Sequence, residues 1–264
     1  MSEHGCWVYA VTDQYEGEDL TGLSGVGGAP VRAIDSAGLA VLASDVDLAE
    51  FGADALRRNL EDLDWLEGTA RAHHQVIDAL SRLFPLLPMR LATVGASETA
   101  TVGTFTDQRA ELRDALAQVR GRAEWGVKAY ARPSERPARA AAGDAAAVGG
   151  SGSTGQGAGM AYLKRRRQEL TSHRNSQRDT AASARAVHDT LAGHAAAFRL
   201  HPPQSSQLSG ERAPMLLNAS YLLDVGGETG FTSSVTEAAG AYPDLRLELT
   251  GPWPPYSFAG GDAG

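Results

Sequence analysis

Two hydrophobic periods alternate along the chain. Cys6-Trp7-Val8-Tyr9-Ala10-Val11 is an unbroken apolar, aromatic and β-branched run closed by polar turn formers, which predicts a strand. Residues 31–34 and 39–43 flank Asp35-Ser36-Ala37-Gly38, turn chemistry between two short apolar runs, and predict a hairpin. After Asp45 the period lengthens: Leu63, Leu66, Ala70, His73, Ile77, Leu80 and Phe84 advance by alternating steps of three and four, one face of a helix. Pro85 and Pro88 stop it, because a proline ring removes a donor and clashes with the preceding turn, and residues 86–94 then read as a strand. Ser97 offers the start of a helix that reaches about Val119 and buries Leu112 and Leu116. Trp125, Val127 and Ala129 alternate with Glu124, Lys128 and Tyr130, as on a half-buried strand that closes this first unit.

Beyond it, residues 159–200 carry no proline and no glycine between Gly159 and Gly193, and Ala184, Val187, Leu191, Ala195 and Phe198 repeat at helical spacing. These predict a long helix. Residues 201–212 form a polar loop, and residues 215–225, centred on Tyr221-Leu222-Leu223, predict a strand. Thr229 or Thr232 is placed to cap a short helix reaching about Tyr242, and Leu245-Arg246-Leu247-Glu248-Leu249 alternates as a strand. The pattern is that of an α+β protein in two parts: residues 1–132 with a mixed α/β sheet, and residues 159–264 with a long helix followed by strand, helix and strand. Between them, residues 133–158 collapse to Ala, Gly, Ser and Pro, a composition that cannot bury enough apolar area to offset its ordering entropy and predicts a disordered linker.

Charge adds a third feature. The chain carries 24 basic and 32 acidic residues, a net −8, which excludes a generally basic nucleic-acid binder. The imbalance is uneven: residues 159–212 hold nine basic and four acidic groups and are positive, while both flanking parts are acidic. With a single cysteine, Cys6, no internal disulfide or cysteine-based metal site is available. The amino terminus has no signal-peptide pattern and no stretch is long enough to span a bilayer, so a soluble cytoplasmic chain without a membrane partner is expected.

Candidate chemistry is sparse. Gly150-Ser-Gly-Ser-Thr-Gly155 matches a dinucleotide fingerprint in letters, but an Ala/Gly tract stands where the preceding strand should be, so it reads as linker. Phosphate-loop, G-x-S-x-G and H-E-x-x-H motifs do not occur. His73 lies on the apolar stripe and reads as a buried histidine packing its helix on the sheet; no ligand partner follows it or His74 at helical spacing. Lys164-Arg-Arg-Arg167 wraps around its helix without an aromatic ladder and reads as a solvated helix start facing an acidic partner, not as a nucleic-acid contact. Arg90, in an apolar neighbourhood on the predicted strand, reads as an internal clamp. In Gly251-Pro-Trp-Pro-Pro-Tyr-Ser-Phe258 the three prolines hold the backbone extended, while Trp253, Tyr256 and Phe258 are large apolar anchors. The segment either covers a junction of its own chain or is presented to a partner groove.

That ending, with Asn218-Ala-Ser-Tyr221-Leu-Leu and Phe231 before it, resembles the carboxy-terminal signature of the gas vesicle protein F/L family. Trp65-Leu66 with Ala70 and His73, then Leu87-Pro88-Met89-Arg90, resembles the family's helix-then-strand motif; Glu124-Trp-Gly-Val-Lys128 resembles its next strand, and Tyr162-Leu163 the start of its second domain. Where the family usually has Arg-Phe-Gly-Thr, this chain has Arg90-Leu91-Ala92-Thr93. The resemblance implies a two-domain α+β protein, ferredoxin-like in its carboxy-terminal part. It also implies a non-enzymatic accessory of gas vesicle assembly that contacts the small apolar shell protein through its amino-terminal domain, or other vesicle proteins, with no cofactor. The signature residues it marks as structural or interfacial are Trp65, His73, Pro88, Arg90, Tyr162, Leu163, Tyr221, Phe231 and Gly251, Pro252, Trp253, Pro254, Pro255, Tyr256 and Phe258. The competing reading is a small-molecule enzyme or sensor on an α+β scaffold, for which His73, Arg90 and Tyr130 would have to converge on one pocket.

Overall fold

A computed structural model describes residues 3–132, 156–204 and 213–259. Most of the predicted linker, with its Gly150–Gly155 motif, and much of the 201–212 loop lie outside the described residues.

The first sheet is built around β1 (His4–Thr12), which pairs antiparallel with β3 (Ala40–Asp47); β2 (Arg32–Asp35) continues the sheet beyond β3 as the predicted hairpin. The unbroken apolar run of β1 has its reason in the packing, because both faces are covered. Trp7 and Tyr9 point to a core with Val76, Ile77 and Leu80 of α3 (Leu63–Ser81), whereas Cys6, Val8 and Val11 point to a second core with Phe105, Leu112 and Leu116. A bulge between Val8 and Ala10 shifts the register at Tyr9, whose hydroxyl lies 2.7 Å from Ser44 Oγ and accepts from Val26 N at 2.7 Å. Two short helices that sequence periodicity does not reveal, α1 (Leu48–Phe51) and α2 (Ala53–Asn59), lead into α3, whose amino terminus is capped by Asp62.

The strand expected over 86–94 is a pair of two-residue ladders on β1: β4 (Leu87–Pro88) opposite Ala10 and Val11, and β5 (Val94–Gly95) opposite Cys6 and Trp7. Between them the chain turns through Ala92 at φ 63°, which breaks the extended conformation. The helix expected over 97–119 is two, α4 (Glu98–Asp107), capped by Ser97 as predicted, and α5 (Arg109–Val119), with Gln108 between them.

The largest correction concerns β6 (Arg122–Ala131). Read from sequence as the last strand of the first unit, it pairs with β8 (Met215–Asp224) and β9 (Leu245–Trp253) in the second sheet, whose order is β7-β8-β6-β9. With α6 (Gln156–Ala192), β7 (Ala197–Leu200) and α7 (Glu228–Ala241), this is a β-α-β-β-α-β unit, the ferredoxin-like connection, which is complete only when it begins before the linker. Helix α6 stops at Ala192 beside Gly193, so Ala195 and Phe198 are not on it; Phe198 sits on β7 opposite Tyr221. Helix α7 starts from Gly227 without a side-chain cap, so neither Thr229 nor Thr232 caps it. Trp125, Val127 and Ala129 of β6 face Val187, Leu191, Phe231 and Val235 of the two helices. The opposite face of this sheet contributes Leu222 to the core that holds α5, and the two sheets thereby share packing.

Candidate functional site

The proline-aromatic ending crosses the place where the two sheets meet. Gly251, at φ 124°, brings β9 so close to β6 that a Cβ there would lie 2.9 Å from the Glu124 carbonyl and 3.3 Å from Trp125 Cα, which is why this position takes glycine. Pro252 follows through a cis peptide bond. Pro254 and Pro255 are buried, and the chain then turns so that Tyr256, Ser257 and Phe258 each contact a different element. The Tyr256 hydroxyl hydrogen-bonds His74 Nδ1 of α3 at 3.1 Å. Burial, reinforced by the charges of Asp78 and Glu124, pushes its phenol pKa well up. Ser257 donates from N (2.8 Å) and from Oγ (2.6 Å) to the two carboxylate oxygens of Glu124, a buried acid on β6. Ser220 Oγ lies 3.0 Å from Ser257 Oγ, with His201 Nε2 3.0 Å beyond it. Phe258 inserts among Leu87, Leu116, Val119 and Leu222, residues of both sheets and of α5. The segment therefore covers a junction of its own chain.

Trp253 is the exception. It is 44% exposed and lines a cleft of about 490 Å³ between the end of α3 with the segment that follows it (Asp78 to Leu86), the α5–β6 turn and the residues around Val225 and Pro252. Leu83 and Val225 are also exposed there. The charges at the cleft are paired with one another, Arg82 with Asp78 at 2.7 Å and Arg122 with Asp224 at 2.7 Å, which leaves an apolar floor between compensated ion pairs. Exposed apolar side chains between compensated charges are the chemistry of a contact surface.

A second group of signature residues forms the core of the first unit. Trp7 Nε1 donates to His73 Nδ1 at 2.9 Å, so His73 carries its proton on Nε2, which donates to the Met89 carbonyl at 3.1 Å. Burial lowers the pKa of this ring, with the neighbouring His74 adding to the effect. Trp65 packs on Phe51 and donates from Nε1 to Glu50 at 3.1 Å; Phe51 in turn packs edge-on to Trp7. Pro88 is buried opposite Ala10. Arg90 corrects the expectation of an internal clamp: its side chain is exposed, and its carbonyl closes the turn by accepting from Thr93 N (3.2 Å) and Oγ1 (2.7 Å). Tyr221 of β8 and Phe231 of α7 are fully buried in the core of the second unit, Tyr221 hydrogen-bonded to His188 at 2.9 Å. Leu163 is exposed on α6, and the Tyr162 side chain lies outside the described residues.

The residues needed for the ligand-pocket reading do not converge. His73 is enclosed in the first core, Arg90 faces solvent and Tyr130 lies in the second sheet beneath the guanidinium of Arg246, 4.4 Å from its ring centroid. Among the described residues no three His, Cys, Asp or Glu side chains are grouped as a metal would require, and no helix is long and apolar enough to cross a membrane. Leu83 was not singled out by sequence, His74 was weighed only as a metal ligand or base, and Glu124 and Ser257 entered only as members of the motifs around them, with an acid beside Trp125 on a half-buried strand as the available signal for Glu124.

The chain matches, over residues 5–260, the family model described as "Gas vesicle synthesis protein GvpL/GvpF". Gas vesicle protein L of Streptomyces sp. (strain CB03234) is 38% identical over 260 residues, covering 96% of this chain and 92% of that protein. Crystal structures of gas vesicle protein GvpF from Microcystis aeruginosa and from Anabaena sp. PCC7120 superpose with TM-scores of 0.64 and 0.65 at 19% and 20% identity. They cover 97% and 98% of this chain and 99% and 97% of their own, a likeness of fold. The specific proline-aromatic junction, the two antiparallel sheets and the match along nearly the whole length agree: this chain belongs to the GvpL/GvpF family of gas vesicle synthesis proteins.

Proposed function

We propose that this chain acts without catalysis, as an accessory of gas vesicle assembly in the cytoplasm, and that it binds the small apolar shell protein. The observation that carries the reading is the junction cleft, where Leu83, Trp253 and Val225 remain exposed between paired charges although Pro254, Pro255 and Phe258 of the same ending are buried. An apolar shell subunit aggregates before assembly unless its surface is covered, and a cleft of this kind covers an apolar side chain or short segment while the acidic exterior keeps the pair soluble. One wall, Asp78 to Leu86, comes from the amino-terminal unit.

The test is co-expression of the full chain with the shell protein, comparing wild type with Leu83→Glu and Trp253→Glu. Both positions are exposed, so the variants should keep the wild-type circular dichroism spectrum and lose co-purification. Retention of the shell protein by both variants at the wild-type level would overturn the assignment to this cleft. A fragment ending at residue 132 is not a suitable control, because it removes β6 from the sheet in which it pairs.

A further inference from the structure

Helix α6 differs from the other helices in how little of it is packed. Among its described side chains, Ala184, Val187 and Leu191, all near its carboxy-terminal end, are the ones buried in the core of the second unit. Every described side chain from 163 to 179 is exposed, and this stretch extends about 25 Å at 1.5 Å per residue. These described side chains gain nothing from burial within their own chain. The positions of its side chains, however, are not uniform. Lys164, Arg167, Arg174 and Arg178 advance by three, seven and four residues and so share one side, and Leu163 and Leu170, 62% and 49% exposed, run along the flank of that side. A basic stripe with two apolar side chains one heptad apart is a docking face.

Its complement is on the same chain, in the other unit. From residue 45 to 67, eight carboxylates stand against two arginines. At the corner between α2 and α3 the carboxylates of Glu61 and Asp64 are exposed beside Leu60 and Leu63, which is 76% exposed, while Glu67 just beyond is paired with Arg71. Sign and apolar content match those of the α6 stripe. We infer that the basic face of α6 docks on the acidic α2–α3 corner of a second copy of this chain. Arm and corner are different surfaces, so the contact is heterologous: each copy uses its arm on the next and leaves its own corner open, which builds a head-to-tail chain unless the rotation closes a ring. For a protein of net charge −8 the positive arm is the place where approach of a second copy is attractive.

Sedimentation velocity of the full chain tests this. The expected result is concentration-dependent growth beyond monomer at about 50 mM salt that fades at about 500 mM, as a contact between exposed charges requires. Arg167→Glu with Arg174→Glu on the arm, or Glu61→Lys with Asp64→Lys on the corner, should each weaken self-association at least about tenfold, since the first cancels the positive charge of the stripe and the second reverses both exposed carboxylates of the corner. Arg167→Lys with Arg174→Lys should leave it nearly intact. Mixing the two reversed variants should restore association, because between unlike copies an unaltered arm meets an unaltered corner and the introduced glutamates meet the introduced lysines. All four positions are exposed, and thermal melting checks that the variants remain folded. A wild-type chain that stays monomeric at about 200 µM in low salt overturns the inference. So does association that survives arm reversal, failure of the mixture to associate, or binding of the arm to anionic lipid vesicles without self-association.

Discussion

Replacing His73 by leucine isolates one buried polar contact whose geometry is fully specified. His73 is 3% exposed and Trp7 fully buried; the indole N–H has His73 Nδ1 as its acceptor, and the other ring nitrogen satisfies Met89 O. His73→Leu keeps most of the volume but strands the indole donor, which costs about 1–3 kcal/mol, and removes a donor from a backbone carbonyl, so a total loss of about 2–4 kcal/mol is expected. Trp7→Phe should be less costly in the His73→Leu background than in wild type, because the stranded donor goes with it, with a coupling of about 0.5–3 kcal/mol. The same contact carries a pH signature. The folded pKa of His73 lies below the ordinary 6.5, so above that pH the ring is neutral in both states and contributes no pH dependence. As pH falls through 6.5 the unfolded chain takes up a proton that the buried ring declines, and stability drops by up to about 1.4 kcal/mol per pH unit until the folded ring titrates as well. Urea unfolding followed by far-ultraviolet circular dichroism at several pH values from neutral downward measures both effects. Wild type should lose stability on acidification more steeply than His73→Leu. A variant with the wild-type midpoint, or with the wild-type pH slope, would refute the assigned hydrogen bonds.

Three further outcomes follow from backbone and junction geometry. Ala92 holds a left-handed φ of 63° where the resembling family has glycine; Ala92→Gly should relieve about 1–2 kcal/mol of strain, part of it offset by greater unfolded-state entropy, for a net gain near 0.5–1 kcal/mol in urea unfolding. Gly251→Ala should lower the melting temperature, since the added Cβ meets the Glu124 carbonyl at 2.9 Å in a conformation side chains disfavour, and a wild-type melting curve would contradict the close β9–β6 approach. Ser257→Ala removes one of the two donors to the buried Glu124 carboxylate and should cost about 1–3 kcal/mol, with Glu124→Gln making Ser257→Ala less costly; additive losses in the double variant would show that the two do not interact.

Local pattern alone determined the elements whose hydrophobic period is uninterrupted. The three-four steps from Leu63 to Leu80 are α3, the alternation of residues 245–249 lies on β9, the run Cys6–Val11 lies on β1, and the ending Gly251–Phe258 carries enough specific residues to point to the family. What pattern could not supply is partnership. The alternation in β6 shows which side chains share a face but nothing of which strand lies beside it, and its partners stand about ninety and one hundred and twenty residues downstream. The same holds for residues 86–94, where pairing to β1 on either side of the Ala92 turn splits the expected strand, and for Arg90, which that turn carries out to solvent. The buried state of Glu124 depends on Ser257 and Phe258 folding over it from 133 residues away, and the bare length of α6 depends on the second sheet reaching only its carboxy-terminal end. Helical and strand periods are short-range consequences of backbone geometry and can be read from neighbours; pairing, burial and exposure are set by contacts that form only when distant segments are brought together.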